Sequence, residues 1–135
     1  MSIRSLVAVC VVGLSLSCAP AIKLINGPMV PAAEGRVTVA TGENGNTRLS
    51  VTVEHLALPE KVDPQATVYI VWVQGTQEGA PALNVGALTV DEHLTGRLET
   101  LTSFTQFELS VTAEAAATAV TPVGAKVLSA TISRK

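Results

Sequence analysis

The chain has 135 residues and a formal net charge of −2, with 47% hydrophobic, 15% charged and 3% aromatic residues. This length fits one compact domain, and the small share of charged residues argues against an intrinsically disordered chain. The negative charge argues against a basic nucleic-acid footprint, and a stacking platform for bases would need more aromatic residues than Tyr69, Trp72, Phe104 and Phe107.

The first 17 residues have the pattern of a secretory signal peptide. Arg4 gives a positive start, and an apolar stretch follows from Leu6 to Leu16. This stretch is shorter than the roughly 20 apolar residues that a transmembrane helix needs. No second apolar stretch of spanning length follows, so the mature chain is not expected to be an integral membrane protein.

Cys18 follows the apolar stretch directly, with the small residue Ser17 before it. This arrangement resembles a bacterial lipoprotein signal, although Ser15 stands where that pattern has Leu or a similar residue. The resemblance implies that Cys18 becomes the lipidated first residue of a chain anchored at the bacterial cell envelope. The alternative is cleavage near Ala19 or Ala21 and a freely secreted protein.

The chain has two cysteines, Cys10 and Cys18, and both belong to this N-terminal region. A domain without further cysteines has no internal disulfide and no thiolate metal cluster, so its core must stabilise it alone. Residues 18–35 hold three prolines and two glycines, which disfavour regular structure. They are predicted to be a tether, or else an ordered segment that lies along the domain.

Residues 36–135 are predicted to be a β-domain, because apolar and polar residues alternate with a period of two. The runs 36–41 and 47–54 flank the turn signal ENGN and predict a hairpin. The run 66–73 is apolar on both faces and predicts a central strand. Further strands are predicted at 82–90, where Gly86 marks a bulge or a close approach, and at 97–104, 105–113 and 125–134.

This pattern predicts seven or eight short strands with turn signals between them. The fold class is therefore all-β, an antiparallel immunoglobulin-like β-sandwich, with a barrel as the alternative closure. The longer connections at 55–65, 74–81 and 114–124 are the candidate contact loops. Tyr69 and Trp72, three positions apart on one strand, are predicted to face opposite sides, with Trp72 in the core.

Four short stretches are similar to the extracytoplasmic C-terminal domain of the anti-sigma-K factor family: YIVW (69–72), VGALTV (85–90), FELSVTAE (107–114) and TPVGAKVLSA (121–130). The similarity covers about residues 47–133 and implies a β-sandwich outside the cytoplasm. Members with anti-sigma activity also have a cytosolic sigma-binding domain and a transmembrane helix, which this sequence does not contain. The resemblance therefore implies the fold and the location, and not inhibition of a sigma factor.

No pattern in the sequence predicts a catalytic site. His55 and His93 are the two histidines, and each has acidic neighbours, Glu54 for the first and Asp91 and Glu92 for the second. If their loops met, they could hold a metal weakly; an ordinary solvated histidine is the competing interpretation. No nucleophile elbow, phosphate loop or EF-hand spacing is present.

The sequence therefore predicts an exported lipoprotein, anchored to the membrane through Cys18, with a non-catalytic immunoglobulin-like interaction domain. An envelope protein is the expected partner, and no cofactor, nucleic acid or small-molecule substrate is predicted. One alternative is a sensory or regulatory domain related to anti-sigma factors. The other is a weak metal-binding or enzymatic site at His55 and His93.

Overall fold

A computed structural model describes residues 20–135 of the chain. The predicted signal peptide (1–17) and the predicted lipidation site Cys18 lie outside the described residues. Within the described part, no helix is long and apolar enough to cross a membrane.

The described chain forms two antiparallel sheets of five strands each. The first sheet has the order β1-β3-β4-β8-β7 and the second has the order β2-β10-β9-β5-β6. This architecture confirms the prediction of an all-β fold and is consistent with a sandwich. The strands are β1 (Ala21–Lys23), β2 (Ile25–Asn26), β3 (Glu34–Thr41), β4 (Thr47–Glu54), β5 (Val68–Gly75), β6 (Ala82–Ala87), β7 (Thr89–Val90), β8 (Gly96–Thr102), β9 (Gln106–Glu114) and β10 (Lys126–Ser133).

The predicted hairpin is confirmed as β3 and β4. Val37 lies directly opposite Val51 in the ladder, and both side chains are buried. The turn contains a short 3-10 segment, Glu43–Gly45, in which Asn44 and Gly45 have positive φ. Asn and Gly are the residues that adopt this backbone conformation most easily, which is why the turn could be read from the sequence.

The core fills the space between the two sheets. Tyr69, Val71 and Val73 of β5 contribute to it, together with the alternate residues Phe107, Leu109 and Val111 of β9. Burial of such apolar side chains stabilises the fold by roughly 1.5–3 kcal/mol for each large residue. The period-two alternation thus determines which face of each strand points inward.

The predicted strand 82–90 is wrong as a single element, because it divides between the two sheets. β6 pairs with β5 in the second sheet, whereas β7 pairs with β8 in the first. Gly86 has φ +140° beside a register shift in the pairing of β5 with β6, and an added Cβ would lie 3.0 Å from the Leu98 side chain. The bulge and the close approach predicted at Gly86 are therefore both present.

The sequence left open whether residues 18–35 form a tether or an ordered segment that lies along the domain. Residues 20–35 are ordered. β1 pairs with β3 and β2 pairs with β10, so this segment adds an edge strand to each sheet. Leu24, between the two strands, is 1% exposed and packs into the core. The connection at 55–65 also contains a short helix, α1 (Pro59–Val62), with Pro59 in its first turn.

The sandwich has two ends, which we name by their loops. The hairpin end holds residues 42–46, 75–81 and 103–105. A hydrogen bond from Thr47 Oγ1 of β4 to the Phe104 carbonyl holds the connection between β8 and β9 there. The strap end holds residues 27–33, 55–67, 91–95 and 115–124. A hydrogen bond from the Tyr69 hydroxyl to the Ala57 carbonyl, 2.7 Å long, lies at this second end.

Candidate functional site

The most distinctive surface feature is the connection between β9 and β10, residues 115–124, which we call the strap. Its sequence, AAATAVTPVG, carries no charge. Three polar side chains from other elements bind its backbone. Thr67 Oγ1 donates a hydrogen bond to the Ala115 carbonyl (2.8 Å). Asn84 Nδ2 donates to the carbonyls of Ala117 and Ala119 (3.0 and 2.9 Å). Glu114 Oε1 accepts hydrogen bonds from the N–H groups of Val123 and Gly124 (3.1 and 3.0 Å).

These anchors place the strap across the outer face of the second sheet. Asn84 lies on β6 and Glu114 ends β9, while β5 runs between those two strands. The strap must therefore cross β5 to reach both anchors. Trp72 of β5 lies opposite Asn84 of β6. Its side chain is 0% exposed, although it is not part of the core between the sheets. Trp72 is thus buried, as predicted, but on the outward face.

A chain of hydrogen bonds connects Trp72 to the strap. Trp72 Nε1 donates to Thr112 Oγ1 (2.7 Å), and Thr112 Oγ1 donates to Glu114 Oε1 (2.7 Å). Glu114 is 2% exposed. A carboxylate buried in this way needs hydrogen-bond donors, and here a hydroxyl and two backbone N–H groups supply them.

The C-terminal end of the strap packs tightly on β9. A Cβ added to Gly124 would lie 1.7 Å from the Ala113 carbonyl oxygen, so any other residue would force the backbone apart. Gly124 is therefore required by a close backbone approach. Together with the anchors, this contact holds the strap in one conformation.

Two apolar side chains of the strap nevertheless point into solvent. Val120 is 82% exposed and Val123 is 85% exposed, the two highest values among the exposed large hydrophobic residues described. Exposed apolar side chains on an ordered loop are a feature of contact surfaces, since rigid loops carry binding residues at low entropic cost.

The three loops predicted as contact candidates do not form one surface. Residues 55–65 and the strap lie at the strap end, where Thr67 N–H donates to the Glu114 carbonyl. Residues 74–81 lie at the hairpin end, beside Phe104. A partner that contacts the strap would therefore not reach the 74–81 loop from the same side.

His55 belongs to a group of three metal-ligating side chains at the strap end. Glu34 begins β3 and lies opposite Glu54, the last residue of β4, while His55 follows with φ +57°. One donor atom from each side chain lies within 4.8 Å of the other two. Arg36 lies 3.5 Å from Glu54 and partly compensates the two carboxylates. An imidazole and two carboxylates are ligands that zinc accepts.

His93 is not a member of that group. Its Nε2 lies 3.6 Å from Glu92, and its side chain is 81% exposed. The neighbouring Asp91 closes the turn instead: its carboxylate accepts hydrogen bonds from the N–H groups of Thr95 and His93 and lies 3.2 Å from Arg97. These hydrogen bonds, that from Thr95 most of all, lower the pKa of Asp91. The turns that carry His55 and His93 are joined through Leu56 N–H and the Leu94 carbonyl.

No sequence pattern predicts the roles of Glu114 and Asn84. Both occupy strand positions where a polar residue is expected to face solvent, and their partners lie far along the chain or within a loop. One available signal is the pair Thr112 and Glu114, two positions apart on one strand face beside a Trp-bearing strand.

A comparison with protein-family models and with curated proteins finds no match to this chain.

Proposed function

We propose that this protein is an exported, lipid-anchored and non-catalytic interaction domain that contacts a partner of the cell envelope through its strap. The observation that carries the proposal is the combination of a fixed backbone with exposed apolar tips. Val120 and Val123 point into solvent while Glu114, Asn84 and Thr67 hold the strap against the sheet.

The physical argument concerns entropy. A loop that is ordered before binding loses little conformational freedom when a partner covers it, so its apolar contacts count more fully toward affinity. The strap is uncharged along its whole length. Covering it therefore removes no charged side chain of the strap from water, which lowers the desolvation cost of an interface.

The strand order supports an immunoglobulin-like assignment of the sandwich. From β3 onward, the sheets read β3-β4-β8-β7 and β10-β9-β5-β6. This order corresponds to strands A-B-E-D facing G-F-C with one added edge strand beside C, the arrangement of immunoglobulin domains. Such domains use their end loops for recognition on many unrelated proteins, so the fold supports binding without identifying the partner.

The anchor is tested by fractionation of cells that produce the full chain. Cys18→Ser should move the protein from the membrane fraction to the soluble exported fraction, because one thiol carries the lipid. Cys10→Ser is the matched control, since it changes the other cysteine of the same segment and should leave membrane retention intact. Retention of the Cys18→Ser protein would contradict the anchor.

The contact surface is tested by capture of cross-linked partners on the mature chain. The double variant Val120→Ser, Val123→Ser should lose the partner, because both exposed apolar tips become polar. Leu101→Ser is the control: Leu101 is 47% exposed on the first sheet, away from the strap. Equal capture by the wild-type chain and the double variant would refute the strap as the contact.

The regulatory alternative follows from the resemblance to the anti-sigma-K family. It differs from the main proposal in the partner, which would be a component of a sigma-factor system rather than a structural envelope protein. Identification of the cross-linked partner decides between them. A regulator encoded with a sigma factor would favour the alternative.

A metal-binding role is the second candidate function, favoured by the convergence of Glu34, Glu54 and His55. The test is titration of the metal-free chain with zinc ions. His55→Ala should abolish binding, whereas His93→Ala, the matched control in the neighbouring turn, should leave it unchanged. Equal loss in both variants, or no binding by the wild-type chain, would exclude the site.

A further inference from the structure

The sequence contains two Asn–Gly pairs, and the fold holds them in different ways. Asn26 ends β2 and Gly27 follows it, whereas Asn44 and Gly45 form the tip of the turn between β3 and β4. Asparagine is a chemically labile residue, and a following glycine favours its deamidation because no Cβ hinders the approach of the glycine nitrogen. Which of the two pairs reacts therefore depends on the surrounding structure.

Deamidation joins two groups that are adjacent in the chain. The glycine backbone nitrogen attacks Cγ of the asparagine side chain, a C–N bond forms, and the amide nitrogen leaves as ammonia with the proton that the glycine nitrogen loses. Water then adds to one of the two carbonyls of the cyclic imide, and the ring opens to aspartate or isoaspartate. The peptide between the two residues must rotate until the nitrogen reaches Cγ.

The second sheet opposes this rotation at Asn26. Gly27 N–H donates a hydrogen bond to the Val127 carbonyl of β10 (2.8 Å). The Asn26 side-chain amide donates to the carbonyls of Pro31 and Ala33. An attack at this site has to break the backbone hydrogen bond and turn the side chain away from both acceptors, which leaves partly buried polar groups without partners.

The second pair, Asn44 and Gly45, is exposed. The backbone hydrogen bonds that close its turn run from Gly42 N–H to the Asn46 carbonyl and from Asn46 N–H to the Glu43 carbonyl, so they join residues on either side of the pair. Among residues 20–135, only atoms of the adjacent residues lie within 4 Å of the position that a Cβ on Gly45 would take. The peptide between Asn44 and Gly45 therefore has room to rotate.

We propose that Asn44 is a site of spontaneous deamidation in the folded protein, whereas Asn26 is protected by its hydrogen bonds. The proposal depends neither on the lipid anchor nor on the strap. It makes the hairpin end the part of the domain that changes chemically with age, since exposed loop tips are where a chain is most open to such change.

The isoaspartate product alters the hairpin end, because its linkage adds one carbon to the main chain of the turn. Arg134 donates to Thr41 and Thr47, which lie opposite each other in the ladder, and to the Gly45 carbonyl at the tip. A longer turn moves the Gly45 carbonyl relative to the guanidinium group. The aged protein is therefore expected to unfold at a lower denaturant concentration than the fresh protein.

The test follows both asparagines in one sample of the full chain, kept folded in mildly alkaline buffer. Trypsin, which cleaves after Lys and Arg, places Asn26 in peptide 24–36 and Asn44 in peptide 37–48. Mass spectrometry detects the exchange of amide for acid in each peptide, and fragmentation separates Asn44 from Asn46. We expect Asn44 to react at least about tenfold faster than Asn26, because Asn26 reacts only when the pairing of β2 opens locally.

A second sample, unfolded in guanidinium chloride, shows whether the fold causes the difference. Unfolding removes the hydrogen bonds of Asn26 and Gly27, so most of the difference between the two rates should disappear. Equal rates in the folded chain, a faster reaction at Asn26, or no reaction at Asn44 would overturn the proposal. A difference that persists unchanged in guanidinium chloride would overturn the protection of Asn26 by the sheet.

Asn44→Gly is the matched control for the effect on the hairpin end. Glycine adopts the positive φ of residue 44 without strain and has no side-chain amide to lose. Ageing should shift the unfolding midpoint of the wild-type chain to lower denaturant concentration and leave that of Asn44→Gly unchanged. An equal shift in both proteins would show that the reaction at Asn44 does not weaken the turn.

Discussion

At the scale of single residues, two buried polar side chains, Tyr69 and Glu114, have defined hydrogen-bond partners. Tyr69 is 0% exposed, and its hydroxyl donates to the Ala57 carbonyl. Burial, assisted by the Glu60 carboxylate, raises the pKa of Tyr69 to about 12. Glu114 is buried with three donors to its Oε1. Each group therefore affects stability through its hydrogen bonds as well as through packing.

The Tyr69 environment predicts a loss of stability at alkaline pH. The folded state holds the phenol proton more tightly than the unfolded chain, so the stabilisation is complete below pH 10 and disappears as the pH rises toward 12. The loss should be on the order of 2 kcal/mol. Denaturant unfolding against pH measures it, and Tyr69→Phe should unfold with a flatter pH profile between those values. Parallel profiles for the two proteins would contradict this account.

Replacement of Glu114 should lower the free energy of unfolding far more than replacement of another acidic residue on the same strand. Glu114→Ala leaves the Thr112 hydroxyl and two backbone N–H groups without their acceptor, so we expect a loss of roughly 2–4 kcal/mol in unfolding free energy. Glu108→Ala is the control, because its pair with Lys126 is about half exposed and should cost less than about 1 kcal/mol. Similar losses in both variants would show that the buried carboxylate does not hold the strap.

At the scale of elements, the strap is an irregular segment whose order comes from side chains elsewhere. Asn84 and Ala117 are 33 positions apart in the chain, and no local pattern connects them. The same holds for the strand predicted at 82–90, because its two halves pair with strands of different sheets, β5 and β8, which no local pattern identifies. In contrast, β3 and β4 alternate with a turn of Asn and Gly between them, so their pairing could be predicted from local sequence.

The strap should protect the single tryptophan from solvent. Asn84→Ala removes the donor to the Ala117 and Ala119 carbonyls, so the strap should open more often and Trp72 should become accessible. Acrylamide quenching of Trp72 fluorescence measures this and is expected to increase in the variant. Gln74→Ala is the control, since Gln74 lies on the same strand as Trp72 and binds Ala80 of a different loop. Unchanged quenching in Asn84→Ala would contradict the strap's role as a cover.

At the scale of the whole molecule, the sequence indicated the all-β class because period-two alternation extends through most of the domain. It did not indicate the candidate contact surface, since that surface is created where β5, β6 and β9 lie side by side. The grouping of His55 with Glu34 likewise depends on the pairing of β3 with β4. Tertiary proximity is the information that local patterns lacked in each case.

We propose above all that the strap is the surface through which this protein contacts its partner. A photoreactive amino acid placed at residue 120 of the full chain, in intact envelopes, tests it most directly. The account predicts a cross-link to one defined envelope protein, no such product from residue 101, and a reduced yield from residue 120 when Glu114→Ala loosens the strap. Equal cross-linking from residues 120 and 101, or none from residue 120, would contradict it.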